Sequence, residues 1–309
     1  MALQVSRSKT VAKSYKGVEV RDIFIDELCK ATEKNKNIIL LVNDLGFGVI
    51  DKFCKKFPNN YFNAGISEQS MIGYAAGLAA AGKHVFVYSI ANFSTFRCAE
   101  QIRNDVDYHN LPVTIVSVGS GVSYGNLGYS HHGLQDYALM RTFPNTVIAS
   151  PGDAMELKGC MTYLLENPQP SYLRLDKSTK FQIHKKVPNI LPGKWLKIIN
   201  KKNNKKTFLT TGTVIDFVKK NLLKNNYSDF SLYSLPMWGM KSKNNQYNFI
   251  KRYNKIVVVE DHFQDGGFQS WLNEALNKKN CRTKIISKSI SNKVVGKVGS
   301  QDFLMKYLK

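Results

Sequence analysis

The side chain best placed to do chemistry is Glu68, in the first turn of a helix predicted over residues 67–81. Ser67 stands at the N-cap position, and Gly73 and Gly77 share one helix face. Glycine in a helix interior costs up to about 1 kcal/mol relative to alanine, so two of them predict close approach of another backbone. Glu68 is then either a carboxylate favoured by the helix dipole or a catalytic carboxyl packed against a partner helix, and the residues alone leave both open.

Three further segments carry candidate side chains immediately after predicted strands. They are residues 43–46, residues 89–93, and residues 119–133 with their five glycines. Open α/β sheets bind ligands at the carboxyl ends of parallel strands, so we expect these segments to meet at one edge of a sheet. The glycines allow close approach of a ligand. They match neither the GxxxxGK[ST] nor the GxGxxG phosphate-binding pattern.

Taken singly, these side chains also have ordinary structural interpretations. Asp44 is typical of a turn or a helix cap, and Phe93 at a strand end is typical of a core residue. His131 and His132 could be loop residues bonded to the backbone. Because adjacent histidines point in different directions in a helix or a strand, this pair alone does not predict a metal site.

The elements that position these residues alternate between buried-strand runs such as IILLV and amphipathic segments. The predicted strands are 38–42, 61–63, 84–89, 113–118, 146–150, 171–175, 206–210, 229–234, 255–260 and 282–287. The predicted helices are 18–34, 49–57, 67–81, 94–108, 135–142, 153–166, 213–223, 245–252, 266–278 and one from about 300. This alternation predicts an α/β fold of two doubly wound domains, each a mainly parallel sheet flanked by helices.

Composition divides the chain into four segments. A basic lead-in (1–17) precedes the first domain (18–175), and a linker with two prolines (176–193) precedes the second domain (194–309). A length of 309 residues with 43% hydrophobic residues is enough for two cores.

The chain also carries signals for its compartment. No apolar run approaches the roughly 20 residues of a membrane span, and the lead-in lacks the apolar core of a signal peptide. The five cysteines are scattered without a CxxC pair, which predicts free thiols in a reducing compartment, with Cys29, Cys98 and Cys160 in the core. We therefore expect a cytoplasmic protein.

The net charge of +21 raises the question of nucleic-acid binding. The lysines, however, are spread along the chain together with asparagine, as in KKNNKK at 201–206, and arginine is scarce. We interpret this charge as a compositional bias on solvated faces. It would equally suit an acidic partner subunit or phosphorylated sugars.

The order and content of these segments resemble a known enzyme family. GISEQSMIGYAAGLA (65–79), NFSTFRCAEQIRND (92–105) and GYSHHGLQDYALMR (128–141) are similar, in that order, to the pyrimidine-binding half of transketolases. The pattern also resembles the separately encoded C-terminal section of split transketolases. The likeness is strong through 18–175 and continues weakly to VVVEDHFQDGGFQSWLNEAL at 257–276.

The resemblance implies thiamine diphosphate as cofactor and assigns roles to individual residues. Glu68 would bond the ring nitrogen of the aminopyrimidine and promote its imino form, Phe93 would stack on that ring, and His131 would act on the substrate as donor or proton shuttle. The full cofactor-binding set would be Asp44, Leu45, Gly46, Glu68, Ile90, Phe93 and Phe96. The substrate-binding set would be Arg97, Asn126, His131 and His132.

The chain departs from the family pattern on the substrate side. Ile90 replaces the first phenylalanine, Asn126-Leu127 replaces an acidic pair, and Ser130-His131-His132 replaces Thr-His-Gln. The usual ketose phosphates therefore cannot be assumed as substrates. His132 is a candidate for a new substrate contact.

One family motif is missing from these 309 residues. Family members hold the diphosphate and Mg²⁺ through a GDG motif in another domain, and no GDG occurs here. The resemblance therefore implies that this chain binds no metal and only half the cofactor. A separately encoded N-terminal section would supply the GDG motif and would be the main binding site of Mg²⁺. The two kinds of chain would form a heterotetramer.

The resulting prediction is the pyrimidine-binding subunit of a two-component transferase that moves a two-carbon ketol or acyl unit between sugars or sugar-derived substrates. One alternative within the family uses pyruvate, as a deoxyxylulose-phosphate synthase or an oxo-acid dehydrogenase component does. An alternative of another class is a non-catalytic partner subunit of a sugar-pathway complex. Binding to a nucleic acid or a membrane is not expected.

Overall fold

The computed structural model describes residues 19–177, 181–202, 204–223, 227–277 and 281–309. The predicted lead-in and residues 178–180 of the predicted linker lie outside them. The strands are β1 Ile38–Val42, β2 Tyr61–Asn63, β3 His84–Ile90, β4 Val113–Val118, β5 Val147–Ala149, β6 Ser171–Leu175, β7 Leu196–Ile199, β8 Lys206–Thr210, β9 Ser231–Ser234, β10 Met237–Gly239, β11 Lys255–Val259 and β12 Lys284–Lys288. The α-helices are α1 Val20–Lys34, α2 Asp51–Lys56, α3 Glu68–Ala80, α4 Ala91–Ser94, α5 Ala99–Gln101, α6 Asp136–Met140, α7 Ala154–Glu166, α8 Val214–Phe217, α9 Met240–Lys243, α10 Tyr247–Ile250, α11 Phe268–Leu276 and α12 Gln301–Leu304.

These strands form two mainly parallel sheets, which confirms the predicted α/β class. The first sheet has the order β10-β5-β6-β4-β3-β1-β2 and the second the order β12-β11-β8-β9-β7. The antiparallel strands are β10, which pairs with β5, and β7, which pairs with β9. Strand β10 comes from the C-terminal half of the chain but forms one edge of the first sheet. Both halves of the chain therefore contribute strands to that sheet. The predicted domain boundaries stay a prediction.

Helices cover both faces of the first sheet. All five side chains of β1 are buried, as the run IILLV predicts. On one face, α1 and α7 pack in one apolar cluster with Phe86 and Tyr88. On the other face, Met71, Ile72 and Ala75 of α3 pack with Val87 and Ile115. The sheet therefore fixes where α3 begins, and with it the position of Glu68.

The helix predicted over 94–108 is wrong as a single element. The segment is instead α4, a 3-10 turn at Phe96–Cys98, α5, and a π-helix over Ile102–Asp107. The hydroxyl groups of Ser94 and Thr95 donate to the carbonyls of Ile90 and Ala91 at 3.1 and 2.6 Å. Such side-chain bonds compete with the helical ladder, so the chain turns where a continuous helix was expected.

Two further expectations concern the cysteines and the membrane. Cys29, Cys98 and Cys160 are buried and all five cysteines are free thiols, so the predicted core positions are confirmed. Burial raises the pKa of Cys98 to about 12. Within the described ranges, no helix combines the length and apolar character needed to cross a bilayer.

Candidate active site

Glu68 is the first residue of α3 and is only 7% exposed. Ser67 occupies the N-cap position as predicted, but its side chain does not cap the helix. Its hydroxyl donates instead to the Ala64 carbonyl at 2.6 Å, which fixes the turn that leads from β2 into α3. The carboxylate is therefore held at a set point above the carboxyl edge of the first sheet.

The structure places Arg97 directly against Glu68. Nη1 of Arg97 donates to Oε1 of Glu68 at 2.9 Å, and the guanidinium carbon lies 4.0 Å from the centroid of the Phe93 ring. The Gln69 side-chain amide donates to the Arg97 carbonyl at 3.0 Å. The Arg97 side chain is still 49% exposed. Two residues predicted to hold the cofactor are thus joined by a residue predicted to contact substrate.

His131 completes this cluster from the glycine-containing segment 119–133. Its ring meets the Phe93 ring edge-on at a centroid distance of 5.1 Å, and its Nδ1 lies 3.0 Å from the Ser130 hydroxyl. Burial lowers the pKa of His131, and the positive charge of Arg97 lowers it further. The imidazole is therefore neutral near pH 7 and can accept a proton at one nitrogen while it donates from the other.

We expect the titration of His131 to respond to Arg97. In an NMR pH titration of the chain, His131 (assigned with His131→Gln) should titrate below the ordinary imidazole value. Arg97→Gln should raise this pKa without restoring the ordinary value, since burial is the larger cause. Because the folded-state pKa is depressed, the group's contribution to stability falls as the pH drops below the unfolded-state pKa. A His131 that titrates at or above the ordinary value would contradict this account.

His132 lies beside His131 but in a different environment. Its ring is 1% exposed, its Nε2 lies 3.5 Å from the Gly125 carbonyl, and its Nδ1 has no hydrogen-bond partner among the described residues. The Asn92 side-chain amide donates to the carbonyls of Ser130 and His132 at 3.0 and 2.9 Å. A substrate could reach this ring only if the segment moves, so the predicted contact stays a prediction.

The segment after β1 is held by a residue that the sequence did not single out. Asp44 adopts a left-handed backbone, φ 51°, and its amide donates to Oδ1 of Asn63 at 2.9 Å. The Asn63 side chain also donates to the Asp44 carboxylate at 3.1 Å and accepts from the Gly65 amide at 3.0 Å. Asn63 thereby fastens the ends of β1 and β2 together, just ahead of Glu68.

The backbone at position 46 requires glycine. At φ 91° a side chain would be strained, and a Cβ would lie 3.1 Å from the Tyr88 ring. Leu45 beside it is half-buried.

Among the described residues, the side chains of the other predicted site residues make no hydrogen bond or ring contact with this cluster. Ile90 is half-buried at the end of β3, and Asn126 is exposed in a 3-10 turn. Phe96, 47% exposed, lines a cavity of about 770 Å³ together with Gln135 and Phe263. The structure therefore brings together Glu68, Phe93, Arg97 and His131, and it places Phe96 on a cavity that none of these four lines.

A buried ionic group fixes the end of the histidine segment. Arg174 of β6 donates to Asp136 at 2.6 Å, to Asp261 at 2.7 Å and to the Gly133 carbonyl at 2.9 Å. Asp261 belongs to the C-terminal half. Since all three charged side chains are buried, removing one would leave the others without compensation. The second half of the chain thus helps to position the histidine segment.

The glycine face of α3 has no neighbour in the described part of the chain. Apart from adjoining residues and the backbone of α3 itself, no described atom lies within 4 Å of where a Cβ on Gly73 or Gly77 would be. Ile66, just before α3, and Tyr74, next to Gly73, are 80% and 59% exposed. The close backbone approach predicted from these glycines is therefore not made within the described ranges.

Comparisons with known proteins identify the same family over most of the chain. A sequence model described as transketolase, pyrimidine binding domain matches residues 16–180. A protein of Methanocaldococcus jannaschii named as a transketolase C-terminal section is 33% identical over 95% of this chain and 92% of its own length. A protein of Phocaeicola vulgatus named as one of the subunits of an apulose-4-phosphate transketolase is 28% identical over 90% of each chain. A solved split-gene transketolase, described as an inactive beta4 tetramer, superposes with a TM-score of 0.80 at 25% identity, over 94% of this chain and 93% of that one.

Proposed function

Since the chain belongs to the transketolase family, we propose that it is the pyrimidine-binding subunit of a two-chain thiamine diphosphate transferase. The observation that carries the proposal is the cluster at the start of α3. The mostly buried carboxylate of Glu68 bonds Arg97, and the guanidinium of Arg97 lies over the Phe93 ring. His131, whose pKa is lowered, packs against the same ring. Relatives over nearly the whole chain are named as transketolase subunits or sections.

The residues present fit an aminopyrimidine ring. The guanidinium of Arg97, a planar group with N–H donors, already stacks on Phe93 and bonds Glu68. An aminopyrimidine ring is also planar, and its ring nitrogen can share a proton with the carboxyl group of Glu68. Asn43, buried at the adjoining end of β1, has neither side-chain amide atom paired among the described residues. The site thus offers a stacking face, a carboxylate acceptor and an unpaired amide.

Each residue then has a definite task. When bound, thiamine diphosphate supplies a nucleophilic carbon that carries a two-carbon unit from one substrate to another. Glu68 would hold a proton between Oε1 and the ring nitrogen of the aminopyrimidine. Phe93 would orient that ring by stacking. His131, neutral near pH 7, would accept a proton from a substrate hydroxyl and return it later.

The diphosphate and Mg²⁺ would be held by a partner chain. This sequence contains no GDG motif, and the described ranges hold no group of three or more His, Cys, Asp or Glu side chains arranged for a metal ion. The exposed face of α3, which carries Gly73, Gly77 and Tyr74, is the surface we assign to assembly. A heterotetramer of two such chains and two GDG-bearing chains would place each cofactor in an interface.

Ketol transfer by the assembled pair tests the proposal. The chain, purified with a GDG-bearing partner, thiamine diphosphate and Mg²⁺, should move two carbons from a ketose donor to an aldose acceptor without releasing CO₂. Donors and acceptors with and without phosphate should be compared, because Asn126, Leu127 and His132 depart from the family pattern. CO₂ release from pyruvate would favour the pyruvate-using alternative. Cofactor binding without any turnover would favour a non-catalytic partner.

A further inference from the structure

We propose that Arg97 occupies the aminopyrimidine position while the cofactor is absent and must withdraw before the cofactor can bind. The inference rests on the proposed function. It comes from one side chain making both contacts that the cofactor ring requires, a bond to Glu68 at 2.9 Å and stacking on Phe93 at 4.0 Å. The guanidinium and the cofactor ring therefore compete for the same two residues.

Arg97 has a reason to occupy this place. Glu68 is 7% exposed, and a mostly buried carboxylate without a partner is unfavourable. The charged hydrogen bond from Arg97 compensates the carboxylate, and Phe93 stabilises the guanidinium through its ring face. Withdrawal is favourable only if another group compensates Glu68, and the aminopyrimidine can do so by sharing a proton between its ring nitrogen and the carboxyl group.

Arg97 is also able to leave without disturbing the fold. Half of its side chain is exposed, so the ion pair with Glu68 is weakened by solvent. The Gln69 amide holds the Arg97 carbonyl at 3.0 Å, which keeps the backbone in place while the side chain changes rotamer. Once outside, the guanidinium would face solvent or a ligand, where the predicted substrate contact could be made.

If Arg97 competes with the cofactor, removing it should change the cofactor affinity in the opposite direction to the loss of a positive charge alone. Thiamine diphosphate is an anion, so loss of an arginine near its site would weaken binding if only long-range electrostatics mattered. If Arg97 blocks the site, its loss should tighten binding. Because the ion pair is half exposed, we expect a factor of about five to ten.

Calorimetric titration of thiamine diphosphate with Mg²⁺ into the assembled complex measures this directly. Arg97→Met keeps the length of the side chain but removes the guanidinium. Arg103→Met, at an exposed arginine bonded to Asn104 at 2.8 Å, removes the same charge from the same stretch of chain. Arg97→Met should lower the dissociation constant five- to tenfold, and Arg103→Met should leave it unchanged. Arg97→Lys, which keeps the charge but loses the planar group, should fall between wild type and Arg97→Met.

Each outcome has a distinct meaning. If the wild-type complex binds the cofactor and Arg97→Met binds it no more tightly, the competition is refuted and the proposed function stands. If Arg103→Met tightens binding equally, the effect is one of general charge and the competition is again refuted. If neither the wild-type complex nor any variant binds thiamine diphosphate, the proposed function fails and this inference fails with it.

Discussion

Glu68→Gln in the assembled enzyme should lower kcat by about 10²- to 10⁴-fold while the complex still forms. Glutamine matches glutamate in size and can accept a hydrogen bond, but an amide cannot share a proton with the ring nitrogen as a carboxyl group does. The structural loss should be small, because the partner of Glu68 is Arg97, whose side chain is half exposed. Turnover should therefore fall while thermal stability and subunit composition stay near wild type.

Glu100→Gln is the matched control for this variant. Glu100 is an exposed carboxylate in the same segment as Arg97, so the substitution makes the same chemical change away from the cluster. It should leave kcat unchanged. A Glu68→Gln complex that turns over within tenfold of wild type would remove Glu68 from the mechanism, whatever the control does.

Several strands of this fold were predictable from short apolar runs, of which IILLV of β1 is the clearest. β1, β2, β4, β6 and β8 begin and end at the predicted residues. The edge strands β7 and β10 were not predicted. β10 has only three residues, Met237–Gly239, and its pairing with β5 depends on a contact between distant parts of the chain.

The side chains of the candidate site were predictable from the family pattern, but their support was not. Phe93 lies against His131, and Arg97 links Phe93 to Glu68, while the roles of these residues toward cofactor and substrate stay predictions. The roles of Asn63 and Asn92, which tie one segment to another, depend on which loops become neighbours in space. Asparagine at a strand end is common in turns, so the only available signal was its position at the same sheet edge.

Arg97 shows how structure changes an interpretation drawn from sequence. Its place in the motif assigned it to the substrate, whereas its side chain bonds Glu68. In the helix predicted over 94–108, helical spacing would have determined the direction of the Arg97 side chain. The helix is broken at Ser94 and Thr95, and the turn at Phe96–Cys98 determines that direction instead. Local side-chain hydrogen bonds thus decided the orientation that periodicity could not.

Cofactor binding should require both chains. This chain offers a stacking ring and a carboxylate but no GDG motif, and a GDG-bearing partner alone would lack Glu68 and Phe93. Joining the two halves of the site makes the second set of contacts intramolecular, so the affinity of the pair should exceed that of either chain by about 10²-fold or more.

The most direct measurement is a calorimetric titration of thiamine diphosphate with Mg²⁺ into this chain, the GDG-bearing partner, and the assembled pair. We predict tight binding to the pair, with one cofactor for each copy of this chain, and binding at least about 10²-fold weaker to each chain alone. A partner that binds the cofactor by itself as tightly as the pair does would contradict a cofactor shared between this chain and another.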